Sequence, residues 1–142
     1  MVIMLQSKGY TVFGIDDWAH QKYDVIAALN LLDRCDKPMS LLRDIRSSLK
    51  TDGRLIVASV IPFSPFVEEN KDTNNQPTEK LHIAGQTIEE QINNLVSKIF
   101  EPAGFKVERF TRLPYLCEGD LTTSFYVLHD VVFVLRASAG TD

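Results

Sequence analysis

Two short and almost wholly apolar runs, YDVIAAL (Tyr23–Leu29) and LIVASVI (55–61), constrain this chain's fold more than anything else in it. Runs of strand length without polar alternation suit strands covered on both faces, as in parallel sheets flanked by helices. The segment between them reads as the crossover. Asp36-Lys37-Pro38 sets an acidic residue and a first-turn proline at a helix start. Leu42, Ile45 and Leu49, with Met39 and Leu41, give that helix one apolar stripe, and Thr51-Asp52-Gly53 ends it. Strand, helix, strand in this order predicts a parallel pair.

The remaining segments extend the pattern. Residues 1–9 read as the end of a helix, with Val2, Leu5 and Gln6 at helical spacing and Gly9 closing it. Residues 10–15 alternate weakly and predict a short strand that ends at Asp16-Asp17. From 63 to 82 the sequence is polar and irregular, which predicts a flexible surface loop or lid over about 64–82, least ordered at 70–77. Thr87 and Glu90 match a capping box, opening a helix striped by Ile88, Ile92, Leu95, Val96, Ile99 and Phe100 that stops at Pro102. Residues 105–111 and 131–135 are the last strands, joined by RLPYLCEGD and Phe125-Tyr126, and such adjacent strands pair antiparallel. The sum is one α/β domain over 1–142, with a mainly parallel open sheet and an antiparallel C-terminal strand. This is the carboxyl half of a nucleotide-binding or methyl-transfer fold.

Composition sets the outer limits. The chain has 142 residues, 44% hydrophobic and 24% charged, which suits one globular domain. Its 15 basic and 19 acidic side chains give a net charge of -4, against a nucleic-acid partner that would need a basic face. The longest apolar run is about half of the roughly 20 residues that span a bilayer. MVIML is too short for the apolar core of a signal peptide and lacks a preceding basic segment. Cys35 and Cys117 stand far apart and read as reduced thiols, and His20, His82 and His129 lack ligand spacing, so no metal site is expected.

In open parallel sheets ligands bind beyond the carboxyl ends of the strands. Three places follow. Asn30 and Asp33, in NLLDRCD, read either as turn and capping residues or as polar groups aimed into a crevice. Pro62, Phe63, Pro65 and Phe66 read either as loop packing or as an apolar wall for a ligand. Tyr115, Glu118 and Asp120 read either as a solvated acidic turn or as part of a site, and Tyr126 equally as a half-buried strand residue. No Gly-rich turn follows any strand, and there is no P-loop.

YDVIAALNLLDRCDKP, LLRDIRSSL, VIPFSPFVE, FTRLPYLCEGD and YVLHDVVFVL closely resemble the DREV family, that of methyltransferase-like protein 9, from about residue 4 to 136. The resemblance implies a class I (Rossmann-like) S-adenosyl-L-methionine-dependent methyltransferase fold. It implies methylation of protein histidines at the ring nitrogen nearer the backbone (N-pros), in His-x-His motifs. By the same resemblance Asn30 and Asp33 engage the target imidazole, and Tyr115 and Tyr126 line the substrate pocket. Asp16, Asp17 and Trp18 match the family's acidic-plus-Trp stretch at the adenine end of the cofactor, with Asn30 also near that cofactor. The family's Gly-rich loop and ribose-binding acid, on its first two strands, have no counterpart in this sequence. The expectation is therefore an incomplete fold with the first two strands missing, a truncated chain that starts at an internal methionine and is weak or inactive alone. The alternatives are a non-catalytic peptide-binding or decoy product, or a fragment that pairs with an amino-terminal half on another chain. Family members are associated with the secretory pathway and mitochondria, and no targeting signal assigns this chain to either.

Overall fold

The computed structural model describes residues 2–68 and 74–138. A short helix α1 (Val2–Ser7) opens the chain, and Gly9, at φ 84°, follows it. Residues 10–15 form no strand, which corrects the expectation for them. A strand exists only with a ladder partner, and the four strands of the sheet pair with one another alone, leaving Tyr10, Phe13 and Ile15 exposed. After a 3-10 turn at Trp18–His20 come β1 (Tyr23–Leu29), α2 (Pro38–Ser48) and β2 (Leu49–Val60). Then follow α3 (Ile88–Asn94), a π turn (Leu95–Phe100), β3 (Phe105–Glu118) and β4 (Phe125–Ala137).

The strand order is β1-β2-β4-β3. β1 and β2 are parallel, as the two apolar runs and their crossover predict, but β4 lies antiparallel to both β2 and β3. The sheet is thus mixed rather than mainly parallel, because the hairpin return places β4 between β2 and β3. α2 ends at Ser48, and the Thr51-Asp52-Gly53 stretch expected to close it lies inside β2, near the register shift against β1.

Residues opposite one another across a ladder share a face. The inner face carries Ala28, Leu55, Val57, Val131, Phe133 and Leu135, all buried against Leu42 and Ile45 of α2 and Leu95, Ile99 and Phe100 after α3. Burying each of these valine, leucine, isoleucine and phenylalanine side chains stabilises the fold by about 1.5–3 kcal/mol. Phe100 meets Phe133 edge-on at 5.1 Å. The capping box forms as read: Thr87 accepts from the Glu90 amide and Glu90 from the Thr87 amide. The outer face carries Ile56, Ala58, Val132 and Val134, with exposed Val25 and Leu29 on edge strand β1.

Residues 69–73, the middle of the loop expected over 64–82 and part of its stretch 70–77, lie outside the described residues. The flanks are strapped to the turn after β1. Phe66 N–H donates to the Asp33 carbonyl at 2.8 Å and Glu79 N–H to that of Asp36 at 3.0 Å. Lys37 gives α2 no side-chain cap. Glu79 serves instead, accepting from the Ser40 amide at 2.9 Å and its hydroxyl at 2.6 Å, an anion at a helix start. Val67, Pro77 and Leu81 are buried beneath this strap.

Candidate functional site

At the carboxyl end of β1 the backbone turns through Asn30, at φ 51°, a left-handed conformation that asparagine tolerates better than most residues. The turn carries Leu32 and Asp33 inward, and Asp33 is only 4% exposed. Arg34 Nε lies 3.5 Å from Asp33 Oδ2, while Asp33 Oδ1 has no hydrogen-bond donor among the described residues. Burial pushes the Asp33 carboxyl above its usual range, Arg34 opposes that, and the charge of Asp130 adds to it.

Asp130 was not singled out from sequence. It lies on the outer face of β4, opposite Val60 of β2 and Leu113 of β3, and is 6% exposed. Its Oδ2 accepts from Asn30 Nδ2 at 2.9 Å, linking residues 100 positions apart. Asn30 Oδ1 and Asp130 Oδ1 also lack donors among the described residues. The signal in the sequence is a lone acid inside the apolar strand pattern VLHDVVFVL, where a buried carboxylate calls for a reason.

β3 and β4 run further than the expected 105–111 and 131–135. Their ends form a hairpin arm beyond β2, so RLPYLCEGD is mostly strand rather than a linking loop. Strand pairing between 113–118 and 125–130 supplies the ladder that its mixed pattern did not advertise. Tyr115 pairs with Leu128 and Tyr126 with Cys117, so the two tyrosines are diagonal neighbours on the outer face, the face of Asp130. Both are about two-fifths exposed: Tyr115 is 39% and Tyr126 is 38%. Cys117 and, further down, Asp130 push the Tyr115 phenol up. The Tyr126 hydroxyl instead donates to Asp120 Oδ2 at 2.6 Å in the arm's turn, and with Thr122 holds that carboxyl far below the usual range.

An open cleft of about 1010 Å³ lies at the free edge of β1, lined by Asp16, Trp18, Ile26, Arg34, Leu41 and Phe66 among others. The turn that presents Asp16 and Trp18 is pinned to the body: Tyr23 Oη donates to the Trp18 carbonyl at 2.8 Å and Ser48 Oγ to that of Ala19 at 3.1 Å. Asp17 does not line the cleft. Neither does Phe63, which packs half-buried on the core with its amide on Gln91 Oε1 at 2.9 Å. Pro62 is exposed. Of the two phenylalanines Phe63 and Phe66, the second reaches the cleft, with the Arg34 guanidinium 5.8 Å above its ring. A carboxylate, an indole and an apolar wall fit the adenine end of a nucleoside cofactor. Arg34 joins this cleft to the buried acids. Among the described residues no group of three or more His, Cys, Asp or Glu is placed to hold a metal. No helix among them is long and apolar enough to cross a membrane.

The model of one family, DREV methyltransferase, matches residues 1–137. The chain belongs to the DREV methyltransferase family. Its α/β fold with a mixed sheet is also found among solved structures. Over 96% of its length it matches 60% of the protein described under "Conversion of a Disulfide Bond into a Thioacetal Group during Echinomycin Biosynthesis", at 9% identity and a TM-score of 0.57. That likeness speaks for the fold alone. Two further matches are the mitomycin 7-O-methyltransferase MmcR (16% identity, 96% of this chain, 38% of that one, TM-score 0.48) and a 16S rRNA (adenine(1408)-N(1))-methyltransferase from Catenulisporales acidiphilia (13%, 87%, 54%, 0.49). This DREV chain therefore spans less than two thirds of each of these proteins.

Proposed function

We propose that this DREV chain takes part in S-adenosylmethionine-dependent methylation of protein histidines at the ring nitrogen nearer the backbone, within His-x-His motifs. The observation that carries the reading is Asp33, a buried carboxylate with one oxygen free, held at the carboxyl end of β1 in a chain of a methyltransferase family.

A ring nitrogen can accept a methyl group only with its lone pair bare, so the other nitrogen must carry the proton. Asp33 accepting that far N–H selects the tautomer, fixes the ring's direction and favours the positive charge that develops on it. Asn30 holds the turn without adding charge. Tyr115 offers its aromatic face to the ring, a contact worth about 0.5–2 kcal/mol toward a cation. Asp16 and Trp18 would hold the adenine end of the cofactor, with Phe66 as wall. When bound, the cofactor supplies an electrophilic methyl group on a sulfonium.

The sequence has no Gly-rich turn after a strand, so these 142 residues are expected to bind S-adenosylhomocysteine more weakly than micromolar by calorimetry. The same feature favours a second reading, a peptide-binding module without catalysis, which predicts His-x-His peptide binding that needs no cofactor. The deciding experiment incubates the chain with saturating S-adenosylmethionine and a His-Ala-His peptide and maps the methyl group by mass spectrometry. Slow N-pros methylation is expected, and Asp33→Asn should remove about 10²–10⁴ of it, the usual span for a lost acid–base group. Near wild-type turnover in Asp33→Asn would overturn the role given to Asp33.

A further inference from the structure

Asp130 occupies a position between Val60 and Leu113 where an aliphatic side chain would bury well. Its neighbours in β4, Val131 and Val132, are of that kind. A buried carboxylate with one oxygen unpaired costs stability there, and its side-chain hydrogen bond among the described residues runs to Asn30, the left-handed residue that aims the chain toward Asp33. Three buried acceptors, Asn30 Oδ1, Asp33 Oδ1 and Asp130 Oδ1, lack donors among the described residues. A ligand group that brings N–H donors would satisfy them.

We propose that Asp130 is a positioning residue. Through Asn30 it anchors the turn that holds Asp33, and as a second buried negative charge it makes Asp33 a better acceptor for the proton of the target ring. This rests on the histidine reading above. Once methylated, the ring carries one positive charge. Its far N–H bond then breaks, the proton passes to the Asp33 carboxylate, the neutral methylated ring leaves, and Asp33 releases the proton to water. The groups facing Asp33 are few. Arg34 on the same turn opposes protonation and Asp130 on β4 favours it. Tyr115 on β3 senses Asp130 and is itself held protonated, and Val60 of β2, across from Asp130, is uncharged.

The test is Asp130→Asn, which keeps an acceptor for Asn30 and removes only the charge. The carboxyl resonance of Asp33, followed by carbon NMR, should titrate at lower pH than in the wild type. The acid limb of kcat/KM for the His-Ala-His peptide should move the same way, with kcat down about tenfold and KM changed by less than about twofold. An unmoved Asp33 titration and an unmoved acid limb would overturn the proposal. If Asp130→Asn does not fold, Asn30→Gly keeps the left-handed backbone and cuts the tether. It should lower kcat while leaving the acid limb in place, and an intact kcat would overturn the anchoring role. Absence of methylation by the wild type would defeat the histidine reading, whereas the Asp33 titration decides the coupling without any turnover.

Discussion

The two ends of the ladder between β2 and β4 present charged residues on the same outer face in opposite ways. At the amino end Arg54 lies across from Arg136, and Glu108 joins both, at 2.7 Å and 3.5 Å. Glu108 is the extra residue of the bulge in β3 between Val107 and Arg109, so the irregularity itself delivers the balancing charge. All three are partly in water. Six residues along, Val60 lies across from Asp130, and there Asp130 is buried, accepts one amide N–H from Asn30 and, like buried Asp33, leaves an oxygen without a donor among the described residues. Charges placed for solubility or register are balanced and wet. Charges that are buried and left hungry are spent on something other than the fold.

That contrast can be broken or sharpened at three points. The largest effect on stability is expected from Gly119→Ala in the arm's turn. A Cβ there would lie 1.7 Å from the Thr123 carbonyl oxygen, so the backbone must shift. We expect a loss of about 1–3 kcal/mol in urea unfolding, with faster amide exchange at 115–118 and 125–128. Unchanged exchange would show that the arm does not depend on this turn. Next is Asp33→Asn, with the sign reversed. Because the folded state raises the Asp33 pKa above its ordinary 3.8, it binds the proton more tightly than the unfolded chain. Asp33 thus lowers stability as pH rises through that window. Asp33→Asn should melt higher than the wild type at pH 7, and the difference should vanish below pH 3. A lower melting point at pH 7 would mean that the acid supports the fold. The smallest effect belongs to Glu108→Gln at the balanced end, under about 1 kcal/mol and erased by 1 M salt, with methylation unchanged. A larger, salt-resistant loss would erase the distinction between the two ends.

The centre of the fold was open to reading because its signals are local. Doubly apolar runs mark β1 and β2, and Thr87 with Glu90 marks the start of α3. Asn30 and Asp33 stood out because polar residues leaving a buried strand are conspicuous. What escaped depends on pairing across distance. The arm is strand only because 113–118 meets 125–130, and Pro114 with its mixed neighbours gives no alternation to read. Residues 10–15 alternate but find no partner. Asp130 reads as a blemish in an apolar strand until the fold brings Asn30 to it. Phe63 and Phe66 look equivalent in the chain, and packing alone sends the first to the core and the second to the cleft.

Past His129, whose carbonyl accepts from the Ile61 amide at 3.0 Å, β3 and β4 ladder with each other alone among the described residues, and a two-stranded ribbon by itself is marginal in water. The arm is a cantilever clamped at Asp130. The ladder ties Tyr115, two residues beyond Leu113, and Tyr126, four residues before Asp130, to that root.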